Sequence, residues 1–308
     1  MFEAQQLVFY TCVSPLHMGA GQAVGAIDNP IQREVHTGHP LIAGSGLKGA
    51  VRHHFTRTWQ DAKLIARLFG PERDASEHAG AIAFTDAALV AFPVRSLKNT
   101  FVYATCPTAL ARLKRLAGAT INWGVPNVVE GSVKAASDTA LTKDKDGKNR
   151  LVLEAFDFTA TTDDGVKAIA AWLALNALPQ STEHEFFRNK LKTDLVVLSD
   201  TEFGHFVRHA TVVEAHVAIT DAGTAKDGSL HYTENLPPEA LLAGLVLASV
   251  ERRKGKDTDG LLEAKDVLSA VLRDAGERKG LADRLLQVGG DATTGRGLIV
   301  VHPSGEDV

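Results

Sequence analysis

Strand-like and helix-like segments alternate irregularly along this chain, without the βαβαβα rhythm that a doubly wound parallel sheet requires. That feature directs the reading to an α+β fold with large insertions. Residues 5–13 (QQLVFYTCV) are β-branched and aromatic and read as a strand. A loop marked by Gly19, Gly21 and Gly25 follows. After it, GSGLKG opens a helix of about three turns, with Ser45 as its N-cap and Leu47, Val51 and Phe55 four residues apart. Residues 80–88 and 101–105 read as strands, and Pro107 opens a helix that ends at Gly118.

The middle of the chain differs. Residues 132–150 are polar and turn-rich, and are expected to form a mobile loop or insertion. Residues 166–178 read as an alanine-rich buried helix, and Thr182 with Glu185 makes a capping-box pattern for another through Leu191. A short buried strand is expected over 195–198. Residues 211–219 and 229–235 flank DAGTAKDG as a hairpin with a long turn. A helix over 238–253, a polar linker over 254–260, more helix over 261–272 and a closing strand, LIVVH, complete the expectation.

The 308 residues are 44% hydrophobic and 23% charged, proportions that exclude disorder, collagen and coiled-coil arrays. One domain spanning 1–308 can bury a sizeable core. The apolar run over 240–250 is about half of the ~20 residues a membrane-spanning helix needs. The first residues lack a basic region and a cleavage site. Cys12 and Cys106 alone make neither a disulfide framework nor a zinc site. A cytoplasmic protein with no membrane association is expected.

The net charge of −4 hides an uneven distribution. Residues 87–129 contain no Asp or Glu, but include Arg95, Lys98, Arg112, Lys114 and Arg115. A local basic field attracts phosphate whatever the total charge; the plainer reading is a solvated helix face.

Two glycine-rich segments carry the strongest motifs. GSGLKG leads into a helix bearing Lys48, Arg52 and Arg57, and amides at a helix start beside a lysine suit an anion. It is not a Walker loop, because Gly49 follows the lysine. VGGDATTGRG, near the end, permits close backbone approach and offers Arg296 to a phosphate. Either segment reads equally as a tight turn that serves packing. His17 and Asp28 fall in the loop after the first strand, where a hydrogen-bonded histidine and a turn aspartate are the plain readings. No HExxH, CxxC or DxDxDG pattern occurs.

In order along the chain stand SPLHMGAG, DNPIQREVHTGHPLIAGSGLKGAVR, LFGPE, GAIAFTDA, FPVRS, LVVLSD and LQVGGDATTGRG. This series resembles the RAMP superfamily of CRISPR systems, and within it the repeated backbone subunits of type III-B (Cmr) effector complexes. HTGHPLIAGSGLKG and LQVGGDATTGRG are the most specific parts; residues 119–194 contribute little. The resemblance implies a modified ferredoxin-like, RNA-recognition-like core with a helical and loop insertion over 119–194 and a protruding thumb hairpin over 211–235. It also implies CRISPR RNA, complementary target RNA, copies of the chain in a helical filament and other subunits of the complex as partners. Target RNA would be cut at regular intervals, one cut per subunit, where the thumb displaces a nucleotide. There is no RNP1-type aromatic string, so binding should rest on backbone contacts, with specificity left to base pairing.

By the same resemblance Asp28 of DNPIQRE takes the catalytic place, with His17 and, less well matched, Glu234 beside it. Lys48, with Gly44, Ser45, Gly46, Gly49 and Arg52, would face the guide backbone. Arg33, Arg95, Lys98, Gly289, Gly290, Arg296 and Gly297 complete the expected RNA contacts. The implied reaction is attack of a ribose 2′-hydroxyl on the adjacent phosphate. An ordinary aspartate, with a pKa of ~3.9, is a weak base at neutral pH. Asp28 is therefore expected to hold a divalent ion, Mg or Mn, with direct base action second. A non-catalytic guide-binding scaffold and a guide-processing endoribonuclease are the rival readings.

Overall fold

The computed structural model describes residues 2–23, 25–72, 78–252 and 260–305. The first third runs β1 (Ala4–Cys12), β2 (Leu41–Ile42), α1 (Gly44–Thr58), α2 (Ala62–Phe69), β3 (Ile82–Phe84), β4 (Ala87–Arg95) and β5 (Phe101–Thr105). Then come α3 (Pro107–Ala117), β6 (Ser132–Ala135), β7 (Thr142–Lys143), β8 (Asn149–Leu153), β9 (Phe156–Thr162), α4 (Asp164–Asn176) and α5 (Glu185–Asp194). The remainder is β10 (Leu195–Val197), α6 (Asp200–His209), β11 (Val212–His216), β12 (His231–Asn235), β13 (Leu241–Ala248), α7 (Ala264–Leu272), β14 (Arg284–Gln287) and β15 (Leu298–Pro303).

One mixed sheet orders its strands β14-β15-β1-β13-β4-β5-β10-β6-β9-β8-β7, with β2 against β4 and β3 against β13. The part β15-β1-β13-β4 is antiparallel throughout. Beyond it, β5–β10 and β6–β9 pair in parallel. β11 and β12 stand apart as a two-stranded hairpin. Alternation in β1 divides the core into two layers. Val8, Tyr10 and Cys12 face a layer with α1, α2, α6 and α7, while Leu7 and Phe9 face one with α3, α4 and α5. Between β13 and β4 the register steps from Leu241 opposite Ala91 to Leu242 opposite Leu89. Val90 is the extra residue, and it faces the same layer as Ala91.

Several elements depart from the sequence expectation. Residues 238–253, expected as a helix, hold β13 instead. LLAGLVLA is covered on both faces of the sheet, so it carries no alternation, and pairing with β1 and β4 overrides the helical preference of Leu and Ala. Most of the linker expected over 254–260 lies outside the described residues. Residues 132–150, expected as a loop, contribute β6, β7 and the start of β8 to the sheet. The strand expected over 80–88 is two, β3 and β4, separated at Thr85 and Asp86. Thr182 and Glu185 form no capping box, because a 3-10 turn over Thr182–His184 precedes α5. A capping box forms instead at Ser199 and Glu202, at the start of α6. The helix opened by Pro107 and closed at Gly118 is as expected.

Candidate nucleic-acid interface

Four segments meet at the end of the sheet where β1 finishes. The chain after β1 bridges from Leu16 to Leu236, just before β13, and Gly297 N donates to Pro15 O at 2.8 Å, just before β15. His17 lies between them. Its Nδ1 donates to the Glu234 carbonyl oxygen at 2.7 Å, and its own carbonyl accepts from Gly290 N at 2.9 Å. Gly289 has φ +79, and a Cβ there would stand 2.3 Å from His17 O, so only glycine permits this approach. The Gly289–Gly290 turn thus closes on His17.

Asp28 is half-buried beside the hairpin. Its Oδ2 accepts from Tyr232 N at 2.7 Å, and its other oxygen accepts nothing among the described residues. Asn29 continues the attachment: its N donates to Tyr232 O, and its O accepts from Glu234 N, both at 3.0 Å. An open cleft of about 400 Å³ runs along this junction, lined by Gln22, Asp28, Asn29, Ser229, Leu230 and His231 among others.

Glu234 is only 3% exposed. Its Oε1 accepts from Arg33 Nη2 and from Thr211 Oγ1 (2.8 Å), and its Oε2 from Ile31 N at 3.1 Å. Arg33 also donates through Nη1 to Gly38 O (2.9 Å) and Val207 O (2.8 Å). Both charges are therefore engaged within the protein, fastening the Asp28 loop to α6 and the hairpin. Arg296 likewise grips Glu214 on β11, through Nε at 3.1 Å and Nη2 at 2.5 Å.

The start of α1 adjoins the same loop. A Cβ on Gly46 would meet the Met18 side chain at 3.0 Å. Ala43, not Ser45, is the N-cap, and Gly44 N donates to Asp86 Oδ1 at 2.8 Å. Gly44 sits where a Cβ would be 2.3 Å from Phe84 O, so it serves close packing. Ser45 and Gly49 are exposed, and nothing lies within 4 Å of a Cβ at Gly49. Lys48 is half-buried and makes no hydrogen bond among the described residues. Burial first, then the charges of Arg52 and Arg252, holds its ammonium below the usual lysine range.

The acid-free stretch is mostly engaged internally. Lys98 donates to Leu141 O at 2.9 Å, Lys114 to Trp123 O at 2.6 Å, and Arg112 bonds Glu34 at 2.6 Å. Arg95 is exposed; it and Lys98 sit at the β4–β5 turn on the β8 side of the sheet. Asp28, His17, Glu234, Arg33 and the Gly289–Gly297 loop are thus brought together, whereas Arg95 and Lys98 are not.

Sequence reasoning missed the hairpin's surface. Val213, Val217, Ile219, Leu230 and Tyr232 are exposed, Ile219 at 63% and Leu230 at 55%. Their alternation was visible, but it does not say that the hairpin stands uncovered beyond its base, where Thr233, Glu234 and Asn235 are buried. Among the described residues no three His, Cys, Asp or Glu side chains gather as a metal cage. Asp28 is the one carboxylate lining the cleft. A single carboxylate with a free oxygen could supply one ligand to a hard divalent ion, whose others would have to come from outside the chain.

The sequence profile of the RAMP superfamily matches residues 9–300. The CRISPR system Cmr endoribonuclease Cmr4 of Pyrococcus furiosus is 34% identical over 302 residues, which cover 96% of this chain and 94% of that protein. The crystal structure of oligomeric Cmr4 from the same organism matches with a TM-score of 0.70 at 27% identity, covering 99% of each chain. A chain in a type III-B Cmr-β complex bound to cognate target RNA shares the fold, with a TM-score of 0.69 at 20% identity over 98% of each chain. This chain belongs to the RAMP superfamily. No helix among the described residues is long and apolar enough to cross a membrane.

Proposed function

We propose that the chain is a backbone subunit of a type III-B CRISPR effector complex that binds CRISPR RNA and cuts the complementary target RNA at regular intervals. It would work in the cytoplasm beside copies of itself and other subunits, in line with the oligomeric relative. We read β15-β1-β13-β4, with α1 and α7 in its crossovers, as the ferredoxin-like core, and the β11–β12 hairpin as the thumb. The observation that carries the function is Asp28: its carboxylate is fastened by Tyr232 N to a hairpin with exposed apolar side chains, at the edge of an open cleft.

The division of labour follows. The exposed apolar side chains of the hairpin wedge between target bases, which unstacks one nucleotide and aligns its 2′-hydroxyl with the scissile phosphate. Orientation of that kind alone supplies ~7 kcal/mol or more of the barrier. Asp28 would hold a divalent ion, Mg or Mn, through its unengaged oxygen; the chemistry such an ion supplies is neutralisation of charge on the phosphate. Glu234 and Arg33 position the Asp28 loop, and His17 locks that loop to the glycine-rich turn. Lys48, which makes no hydrogen bond among the described residues and lies beside Arg52, is suited to a guide phosphate, as is the exposed start of α1 at Ser45.

The test is the reconstituted complex with end-labelled complementary RNA. The wild-type complex yields a ladder of evenly spaced products. Asp28→Ala leaves guide and target binding intact and abolishes the ladder; a full ladder from Asp28→Ala would remove Asp28 from the mechanism and leave the scaffold reading.

A further inference from the structure

The geometry points to His231 as the proton donor to the leaving 5′ oxygen of the cut RNA. This rests on the reading of the Asp28 cleft as the site of target cleavage. Internal attack by a 2′-hydroxyl has two proton problems, one at the nucleophile and one at the leaving alkoxide, and Asp28 addresses neither strongly. His17, the histidine expected to help, is committed: its Nδ1 is bonded to Glu234 O, and its ring is pressed against Gly19 and Gly290. It does not line the cleft, and His231 does.

Four features suit His231 to the task. Among the residues lining the cleft, it and Asp28 alone carry titratable side chains. Its Nδ1 lies 3.1 Å from Ser229 O; a carbonyl only accepts, so Nδ1 carries a proton and Nε2 is left for a ligand. The ring also stacks on His216, its cross-strand partner, with centroids 5.4 Å apart and planes at 23°, which limits how it turns. Asp28 bonds the very next backbone amide, that of Tyr232, so carboxylate and imidazole are held one residue apart. Asp28 shares the cleft with His231 and His216 stacks on its ring; beyond His216 stand Glu214, 3.9 Å from it, and Arg296, which bonds Glu214.

The step balances. The 2′ oxygen loses its proton to solvent and forms a bond to phosphorus. The bond from phosphorus to the 5′ oxygen breaks, and its electron pair goes to that oxygen. The 5′ oxygen takes the Nε2 proton of the His231 imidazolium, and the neutral imidazole regains a proton from water. The products are a 2′,3′-cyclic phosphate and a 5′-hydroxyl. Histidine is the side chain best able to give and regain a proton near neutral pH.

A sulfur-bridged target isolates this role, because a thiolate leaves without needing a proton. Single-turnover cutting is measured in the reconstituted complex, with wild-type protein and with His231→Gln. One target is ordinary RNA, and the other carries a bridging 5′-sulfur at one scissile position. His231→Gln should slow the ordinary target ~100-fold and cut the sulfur-bridged position at close to the wild-type rate. Unchanged cutting of ordinary RNA, or equal slowing on both targets, overturns the proposal. Asp28→Ala, run in parallel, separates the two failures. If it is inactive while His231→Gln is fast on ordinary RNA, His231 alone is misassigned; if it cuts at full rate, the site itself is.

Discussion

Glu234 holds a loop to a hairpin: Arg33, Thr211 and the Ile31 amide all donate to a carboxylate that is almost fully enclosed. Removing one member of a buried charge pair leaves the other uncompensated, a loss of about 3–5 kcal/mol. Glu234→Ala should therefore lower the unfolding free energy of the isolated chain by that order, and its denaturant midpoint with it, and Glu234→Gln, which keeps an acceptor, by less. An unchanged midpoint for Glu234→Ala would mean that Arg33 finds other partners. Nearby, Glu239 is pushed up to about 7 by burial, although the Tyr103 hydroxyl donates to it at 3.0 Å. The unfolded chain releases this proton near 4.5, so the stability that the group contributes is full below that pH and is lost as pH rises through about 7. Glu239→Gln keeps an acceptor for Tyr103 and cannot ionise. It should stabilise the chain by about 1–3 kcal/mol at pH 8 and by little at pH 4, as read by chemical denaturation. Equal effects at both pH values would contradict this account of Glu239. At this scale the place of Asp28 and His17 in the loop after β1 was legible in the sequence, whereas the burial of Glu234 was not, because its partners Arg33 and Ile31 lie about 200 residues away.

The hairpin is buried at its base, at Thr233, Glu234 and Asn235, and its tip over 221–228 is exposed. Its tip is made of local bonds, such as Thr220 N to Thr224 O at 2.8 Å and Gly223 N to Thr220 O at 2.9 Å. Deleting residues 221–228 and closing the turn should leave the melting temperature of the isolated chain nearly unchanged while abolishing target cutting in the complex. Cutting at the same positions after the deletion would place the nucleotide-displacing element elsewhere. Elements with strong local signals were readable: the proline-opened, glycine-closed α3 and the β11–β12 alternation. β13 was not, since a strand buried on both faces has the same apolar run as a buried helix. Nor was the start of α1, whose first amide is satisfied by Asp86, a residue 42 positions further on.

Across the whole molecule, the α+β class followed from the irregular order of segments, but the extent of the sheet did not. Its parallel pairs β5–β10 and β6–β9 join distant segments, and residues 132–150 read as loop because β7, the two-residue edge strand, is polar and buries neither side chain. What the sheet achieves is convergence: the end of β1, the approach to β13 and the turn before β15 present Asp28, the hairpin and the glycine-rich loop at one end of its strands. Among the described residues no three His, Cys, Asp or Glu side chains gather there to activate water strongly; an attacking oxygen already tethered to the substrate needs alignment, charge relief and a proton for its leaving group instead. The most direct measurement is cutting of a target that carries a single 2′-deoxynucleotide immediately 5′ of one scissile phosphate. The account predicts that this position alone stays intact, while the neighbouring sites are cut and their products end in a 2′,3′-cyclic phosphate. Normal cleavage at the deoxy position would contradict it.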